Sequence, residues 1–164
     1  MKKYTQKEFD NFKIDEYGYK ICPSGDYSLI SNFGEWCSFG ERCSFGERCS
    51  FGERCSFGKW CSFGERCSFG KSCSFGKSCS FGKHCICEFG EFEKMSTIGG
   101  FGREERTTYF FKLTDGNIGV RCGCFAGNLN EFRKKVKETH GETKYAKEYL
   151  MIADLMEYHF NAEE

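Results

Sequence analysis

Thirteen cysteines and three histidines are the side chains of this chain best suited to chemistry. Nine of the thiols, from Cys37 through Cys43, Cys49, Cys55, Cys61, Cys67, Cys73 and Cys79 to Cys85, recur at every sixth position. Zinc sites use cysteine pairs two to four residues apart whose sulfurs converge, and a spacing of six offers none. These thiols therefore read as small apolar side chains buried at a regular corner, rather than as a metal or redox array. Two closer pairs are more suggestive: Cys85-Ile86-Cys87 and Cys122-Gly123-Cys124. On a strand, a Cys-x-Cys pair points both sulfurs to one side. Should the pairs meet, Cys85, Cys87, Cys122 and Cys124 make a four-thiolate zinc site. Otherwise Cys85 is the last repeated thiol, while Cys122 and Cys124 line a hairpin core. The second alternative is favoured, and no cofactor is expected. The odd cysteine total also rules out a complete internal disulfide framework.

The element that must position the repeated thiols is an unbroken run of nine hexapeptides from Phe33 to Ile86, most reading Phe-Gly-Glu-Arg-Cys-Ser or Phe-Gly-Lys-Ser-Cys-Ser. A period of six fits neither a heptad, nor an α-helix, nor simple strand alternation. It fits a chain that turns a corner every six residues, with three sides to a coil and coils stacked in parallel. In each hexad the Phe faces inward and the Cys faces inward near the corner. The Gly serves the bend, through positive φ or close backbone approach. Residues i and i+18 then stack. Phe33, Phe51 and Phe69 form one ladder, Phe39, Phe57 and Phe75 a second, and Phe45, Phe63 and Phe81 a third.

Position by position, Phe-Gly-Glu-Arg-Cys-Ser resembles the hexapeptide repeat of left-handed β-helices, familiar from the hexapeptide acyltransferases, with Phe in place of an aliphatic residue. The resemblance covers 33–86 and implies a short left-handed parallel β-helix of about three 18-residue coils. It also implies an alternative function, a degenerate acyltransferase using acetyl-CoA with a histidine as general base. Of His84, His140 and His159 only His84 lies in the coils, in the last rung. The further coils and excursion loop usual in that family are missing.

The flanks complete a mainly β fold with C-terminal α structure. Residues 1–32 are expected to be an N-terminal cap, 33–90 the β-helix and 91–164 a separate module. In the cap, Thr5 and Glu8 form a capping box for a short helix, Lys13 to Cys22 suits a small hairpin, and Tyr27 to Asn32 is a degenerate first hexad. In the last segment, 91–106 reads as Gly-rich and irregular. Thr107 to Phe125 is a β-hairpin turning at Thr114-Asp115-Gly116-Asn117. A helix capped by Asn128 or Asn130 stops at Gly141, and a second from Thr143 to Phe160 carries the stripe Tyr145, Tyr149, Ile152, Ala153, Met156, Phe160.

Basic and acidic residues cancel at 24 each, which argues against a nucleic-acid coat. A weak nucleic-acid alternative rests on the third coil together with Arg133, Lys134, Lys135 and Lys137. Neither an apolar signal segment nor a membrane-length apolar run is visible, which points to the cytoplasm and to no membrane partner. On the outward columns, Glu53 is expected to pair with Lys71, and Glu65 with Lys83. Trp36 and Trp60 break the charged pattern, with Trp60 expected to meet Arg42 in a cation–π contact. Trp36, Trp60, Lys71, Lys77, Lys83 and His84 are the candidate partner-binding residues, with no catalytic residue assigned. The faces and open ends also suit a homo-oligomer.

Beyond the repeat, the runs Arg-Thr-Thr-Tyr-Phe-Phe, Val-Arg-Cys-Gly-Cys-Phe and Glu-Phe-Arg-Lys-Lys-Val-Lys-Glu-Thr-His resemble small phage and prophage proteins of gut-associated Firmicutes. That resemblance implies a non-enzymatic interaction protein that binds and inhibits a host protein, with an anti-CRISPR or other anti-defence role as its sharpest form.

Overall fold

The computed structural model describes residues 1–162, so the last two residues of the expected 91–164 segment lie outside it. The chain divides into two compact units after Glu91. The first unit begins with α1 (Gln6–Asp10), whose capping box is formed as expected: the Glu8 amide donates to Thr5 Oγ1 at 3.2 Å and the Thr5 amide to Glu8 Oε2 at 2.8 Å. Ile14 then bridges to Lys20 across a turn containing Gly18, which sits at φ 90°.

From there the chain coils. Its strands are β1 (Lys20–Cys22), β2 (Asn32–Gly34), β3 (Cys37–Phe39), β4 (Ser44–Phe45), β5 (Ser50–Phe51), β6 (Ser56–Phe57), β7 (Ser62–Phe63), β8 (Ser68–Phe69), β9 (Ser74–Phe75), β10 (Ser80–Phe81) and β11 (Cys85–Cys87). They form three parallel ladders, β1-β3-β6-β9, β4-β7-β10 and β2-β5-β8-β11. The result is a parallel β-solenoid with an 18-residue repeat and four coils rather than the expected three. The additional coil is 20–34, which lacks the hexapeptide consensus until Phe33 and Gly34 open the repeat. Asp26 bridges to Ser44 where the second ladder has no strand beneath β4.

Each hexad is held to its neighbours by the same backbone bonds. The Ser amide donates to the Cys carbonyl of the coil below, as Ser62 does to Cys43 at 2.9 Å, and the Gly amide to the Phe carbonyl below, as Gly58 does to Phe39 at 3.1 Å. The fourth residue donates upward, as Arg42 does to Lys59 at 2.8 Å. These bonds satisfy the main chain of strands only two residues long. Inside, the Phe ladders stack with centroids 4.7–5.2 Å apart and rings within 8° of parallel. Rings of successive sides meet edge to face, Phe39 and Phe45 at 4.9 Å and 90°. Every interior ring thus combines both favoured aromatic geometries, and its burial contributes about 1.5–3 kcal/mol. Tyr27 extends a ladder downward, stacking on Phe45 at 5.5 Å, which confirms its reading as a degenerate repeat.

The second unit begins within β12 (Gly90–Ile98), which from Phe92 on forms an antiparallel meander with β13 (Thr108–Leu113), β14 (Ile118–Cys122) and β15 (Phe125–Asn128). Strand β12 corrects the irregular reading of 91–106: its backbone pairs with β13 over Phe92 to Ile98, past a bulge near Phe92. Helix α2 (Leu129–His140) is capped by Asn128, and α3 (Lys144–Asn161) by Thr143. Phe110, Ile118 and Val120 of the sheet pack with Phe132 and Val136 of α2 and with the α3 stripe. Of that stripe only Tyr145 is half-buried; the others are buried. Among the described residues no helix is long and apolar enough to cross a membrane.

Candidate partner-binding surface

The solenoid interior is filled with rings and thiols, so outward chemistry is confined to flat faces and corners. Each corner places its fourth hexad residue in the left-handed region, with φ from 56° to 66° at Trp36, Arg42, Arg48, Arg54, Trp60, Arg66, Ser72, Ser78 and His84. Chain order fixes which corners bound which face. The β1-β3-β6-β9 face is flanked on one side by the column Trp36, Arg54, Ser72 and on the other by Arg42, Trp60, Ser78. Both tryptophans therefore border the same face, along with Lys71 and Lys77. Lys83 and His84 stand at the remaining corner, so the six expected residues do not form one cluster.

Trp36 and Trp60 are in different situations. The guanidinium of Arg54, one coil up, lies 5.1 Å from the centroid of the Trp36 ring, and Tyr19 meets the same ring at 5.1 Å. Trp60 has Ser78 above it, too short to cover an indole, and is 57% exposed. This corrects the expected Arg42–Trp60 contact. The cation reaches down onto the ring below it, so Trp36 carries the cation–π pair and Trp60 is left bare. Stacking arithmetic applied upward from Trp36 would have found Arg54.

Beside Trp36 lies a shallow groove of about 320 Å³ lined by Asp15, Tyr19, Ser38, Arg54, Ser56, Ser72 and Ser74. The serine column is a consequence of the repeat: Ser38, Ser56 and Ser74 pair in register on consecutive coils. Asp15 Oδ1 accepts from the amides of Tyr17 and Tyr19, both at 2.9 Å, and so holds Tyr19 against the Trp36 ring. Nothing in the sequence reading singled out Asp15, Tyr19 or Arg54.

The charged columns behave differently from expectation. Glu53–Lys71 and Glu65–Lys83 make no ion pair within 4.0 Å among the described residues, and Lys71, Lys77 and Lys83 are all exposed. Long side chains splayed from a corner lose more rotamer freedom than a solvated pair returns. His84 Nδ1 stands 3.4 Å from Glu91 Oε1. Arg133 is engaged within its own unit, at 2.9 Å from Asp154 and 3.2 Å from Glu157.

The thiols donate inward to backbone. Cys55, Cys61, Cys67, Cys73 and Cys79 each donate to the glycine carbonyl 21 residues earlier at 3.4 Å, and Cys85 to Gly64 at 3.5 Å. All 13 cysteines are free. Of the four zinc candidates, Cys85 and Cys87 are buried on β11, where burial pushes Cys87 up to about 11. Cys122 accepts from the Thr108 hydroxyl at 3.2 Å, and Cys124 is exposed. Among the described residues no group of three or more His, Cys, Asp or Glu side chains is placed to hold a metal ion.

Compared with known protein families, with curated proteins and with solved structures, the chain has no significant match in any of the three.

Proposed function

We propose that the chain is a non-enzymatic binding protein that engages a protein of a bacterial host through the β1-β3-β6-β9 face of its solenoid and inhibits it. The observation that carries this reading is the pair of indoles bordering one face. Trp60 is bare at a backbone-strained corner where the fold itself has no use for it, and Trp36, Tyr19 and Arg54 stand beside the groove. Trp, Tyr and Arg are the side chains that most often anchor protein interfaces. Exposed Lys71 and Lys77 on the same rim favour an acidic partner surface. The host context comes from the resemblance of the second unit to phage and prophage proteins, which makes a defence nuclease such as a CRISPR effector the first partner to test. Left-handed coiling, implied by the hexapeptide resemblance, belongs to the same reading.

The test is binding of a candidate effector to the full chain, alongside a plasmid-interference assay in cells. The Trp60→Ala/Lys71→Glu variant should bind at least about 30-fold more weakly, as expected for a hot-spot truncation above 2 kcal/mol. It should also release interference. Unchanged binding would remove this face from the account. Titration with acetyl-CoA should give no heat; a saturable signal would turn the reading toward acyl transfer.

A further inference from the structure

The second unit holds a cleft of about 590 Å³ between the 99–107 loop, the β14–β15 turn and helices α2 and α3. Its size is within the usual range of small-molecule sites, about 300–1,000 Å³. Behind one wall runs a chain of four rings, of which Phe125 and His140 are half-buried and Phe132 and Tyr149 belong to the core. Phe125 and Phe132 lie 5.7 Å apart by centroid, Phe132 and Tyr149 5.8 Å, and Tyr149 and His140 5.9 Å. The rim is cationic, with Arg103, Arg106 and Lys135 against the single carboxylate of Glu104, which pairs with Arg106. Arg103 and Lys135 have no ion-pair partner among the described residues.

The cleft is held open by its own framework. The Gly102 amide donates to Glu148 Oε2 at 3.1 Å, and the Tyr149 hydroxyl donates to the Phe101 carbonyl at 3.4 Å. Gly102 sits at φ 78°, and a Cβ there would meet Tyr149 Oη at 2.0 Å, so only glycine lets the loop lie this close to α3.

We propose that this cleft binds a small aromatic anion, a planar ring carrying a carboxylate or a phosphate. The ring packs on the half-buried Phe125, which Phe132 backs from the core, and the anionic group takes charge-assisted hydrogen bonds from Arg103 and Lys135. A neutral ring satisfies only the wall and a simple anion only the rim, so both parts are required in one molecule.

Calorimetry on the full chain, with indole-3-carboxylate and with adenosine monophosphate, separates the carboxylate source from the phosphate source. Indole and acetate serve as half-ligands. Cys124 supplies a local readout: it is exposed on the rim, whereas the other twelve thiols are buried or half-buried. At least one of the two acids should bind saturably, one per chain, and slow iodoacetamide alkylation of Cys124 in proportion to occupancy. The half-ligands should do neither. Arg103→Ala/Lys135→Ala should weaken binding about tenfold or more through loss of charge-assisted bonds. Ala126→Trp, which fills the mouth and keeps both cations, should do the same. Thermal melts identify a variant that fails to fold, in which case the other decides. Absence of saturable binding and of protection at millimolar acid overturns the proposal, as does binding undiminished in the folded variants.

Discussion

Within one hexad, the glycine and the residue two places later have exchanged the roles usually given them. Glycine takes positive φ at only one repeat position, Gly34, while the left-handed corner is occupied by Arg, Trp, Ser or His. That conformation costs an L-residue about 1–2 kcal/mol, and the upward hydrogen bond from the corner amide helps hold it. Glycine is required instead by distance. A Cβ on Gly64 would lie 2.7 Å from the Gly46 carbonyl carbon and 2.8 Å from the Glu47 amide nitrogen in the coil below. Gly46 stands over the non-repetitive coil, and a Cβ there meets nothing closer than the Ser28 carbonyl at 3.5 Å. The two glycines are identical in sequence context but opposite in expected tolerance. Gly64→Ala should cost about 1–3 kcal/mol through forced backbone movement, read as a lower urea midpoint at unchanged slope. Gly46→Ala should stay within about 0.5 kcal/mol of the parent. Equal losses at both positions would show that glycine serves chain conformation and not clearance.

The ladder is the element in which the thiols acquire their chemistry. The contacts that lower Cys43 and Cys49 raise their partners: contact with Cys43 and then burial push Cys61 up to about 11, and contact with Cys49 and then burial do the same for Cys67. Burial, with a smaller push from the neighbouring Glu88 carboxylate, raises Cys87 to about 11. In the unfolded chain the same thiols ionise near 8.5. Their contribution to stability is therefore fully present below about pH 8.5 and lost as pH rises toward 11, because the unfolded state releases its protons first. Each thiol should cost on the order of 1 kcal/mol per pH unit across that window. The urea midpoint should stay level from about pH 7 to 8 and fall steeply above about 8.5, and Cys67→Ala/Cys87→Ala should fall less steeply despite a lower start. A level profile to pH 11 would mean that the native interior tolerates thiolates. The ladders themselves were legible because Phe and Cys at fixed spacing force inward facing. Of the coil at 20–34 only the part from Tyr27 on was legible, since the rest is held mainly by backbone bonds such as Gly40 to Cys22 and Ser44 to Gly25, which nearly any sequence can supply. Strand β12 was hidden for the opposite reason: its neighbours 99–106 are rich in glycine and charge, and pairing with β13, not local pattern, makes it a strand. At the candidate surface the tryptophans stood out by type, whereas Asp15, Tyr19 and Arg54 matter only through the neighbours that folding gives them.

For the chain as a whole, the repeat makes length itself a variable. In a solenoid each coil touches only its neighbours, so stability is close to a sum over coils and interfaces. Excising Ser56–Cys73 removes 18 residues and joins Cys55 to Ser74, which restores the hexapeptide consensus at the junction. Phe75 then falls where Phe57 stood, and the amide and carbonyl rows of the remaining coils still meet. Three coils are left, the number below which stacked repeats seldom stand alone. Excising Ser56–Lys71 removes two residues fewer and joins Cys55 to Ser72, so that every later Phe arrives two residues out of register. The side can close only by placing polar residues inside or by looping out the excess. The 18-residue deletion should therefore give a cooperatively melting protein with β-rich circular dichroism, a lower melting temperature and a single monodisperse species in size-exclusion chromatography. The 16-residue deletion, although it sacrifices less of the chain, should melt without cooperativity or aggregate. Comparable folding of the two would mean that the solenoid is held by its flanking segments and not by the register of its rungs. The 18-residue deletion also removes Trp60 and Lys71 while retaining the fold. Loss of partner binding in that variant, beside retained binding of a small aromatic anion, would assign the two activities to separate units of one chain.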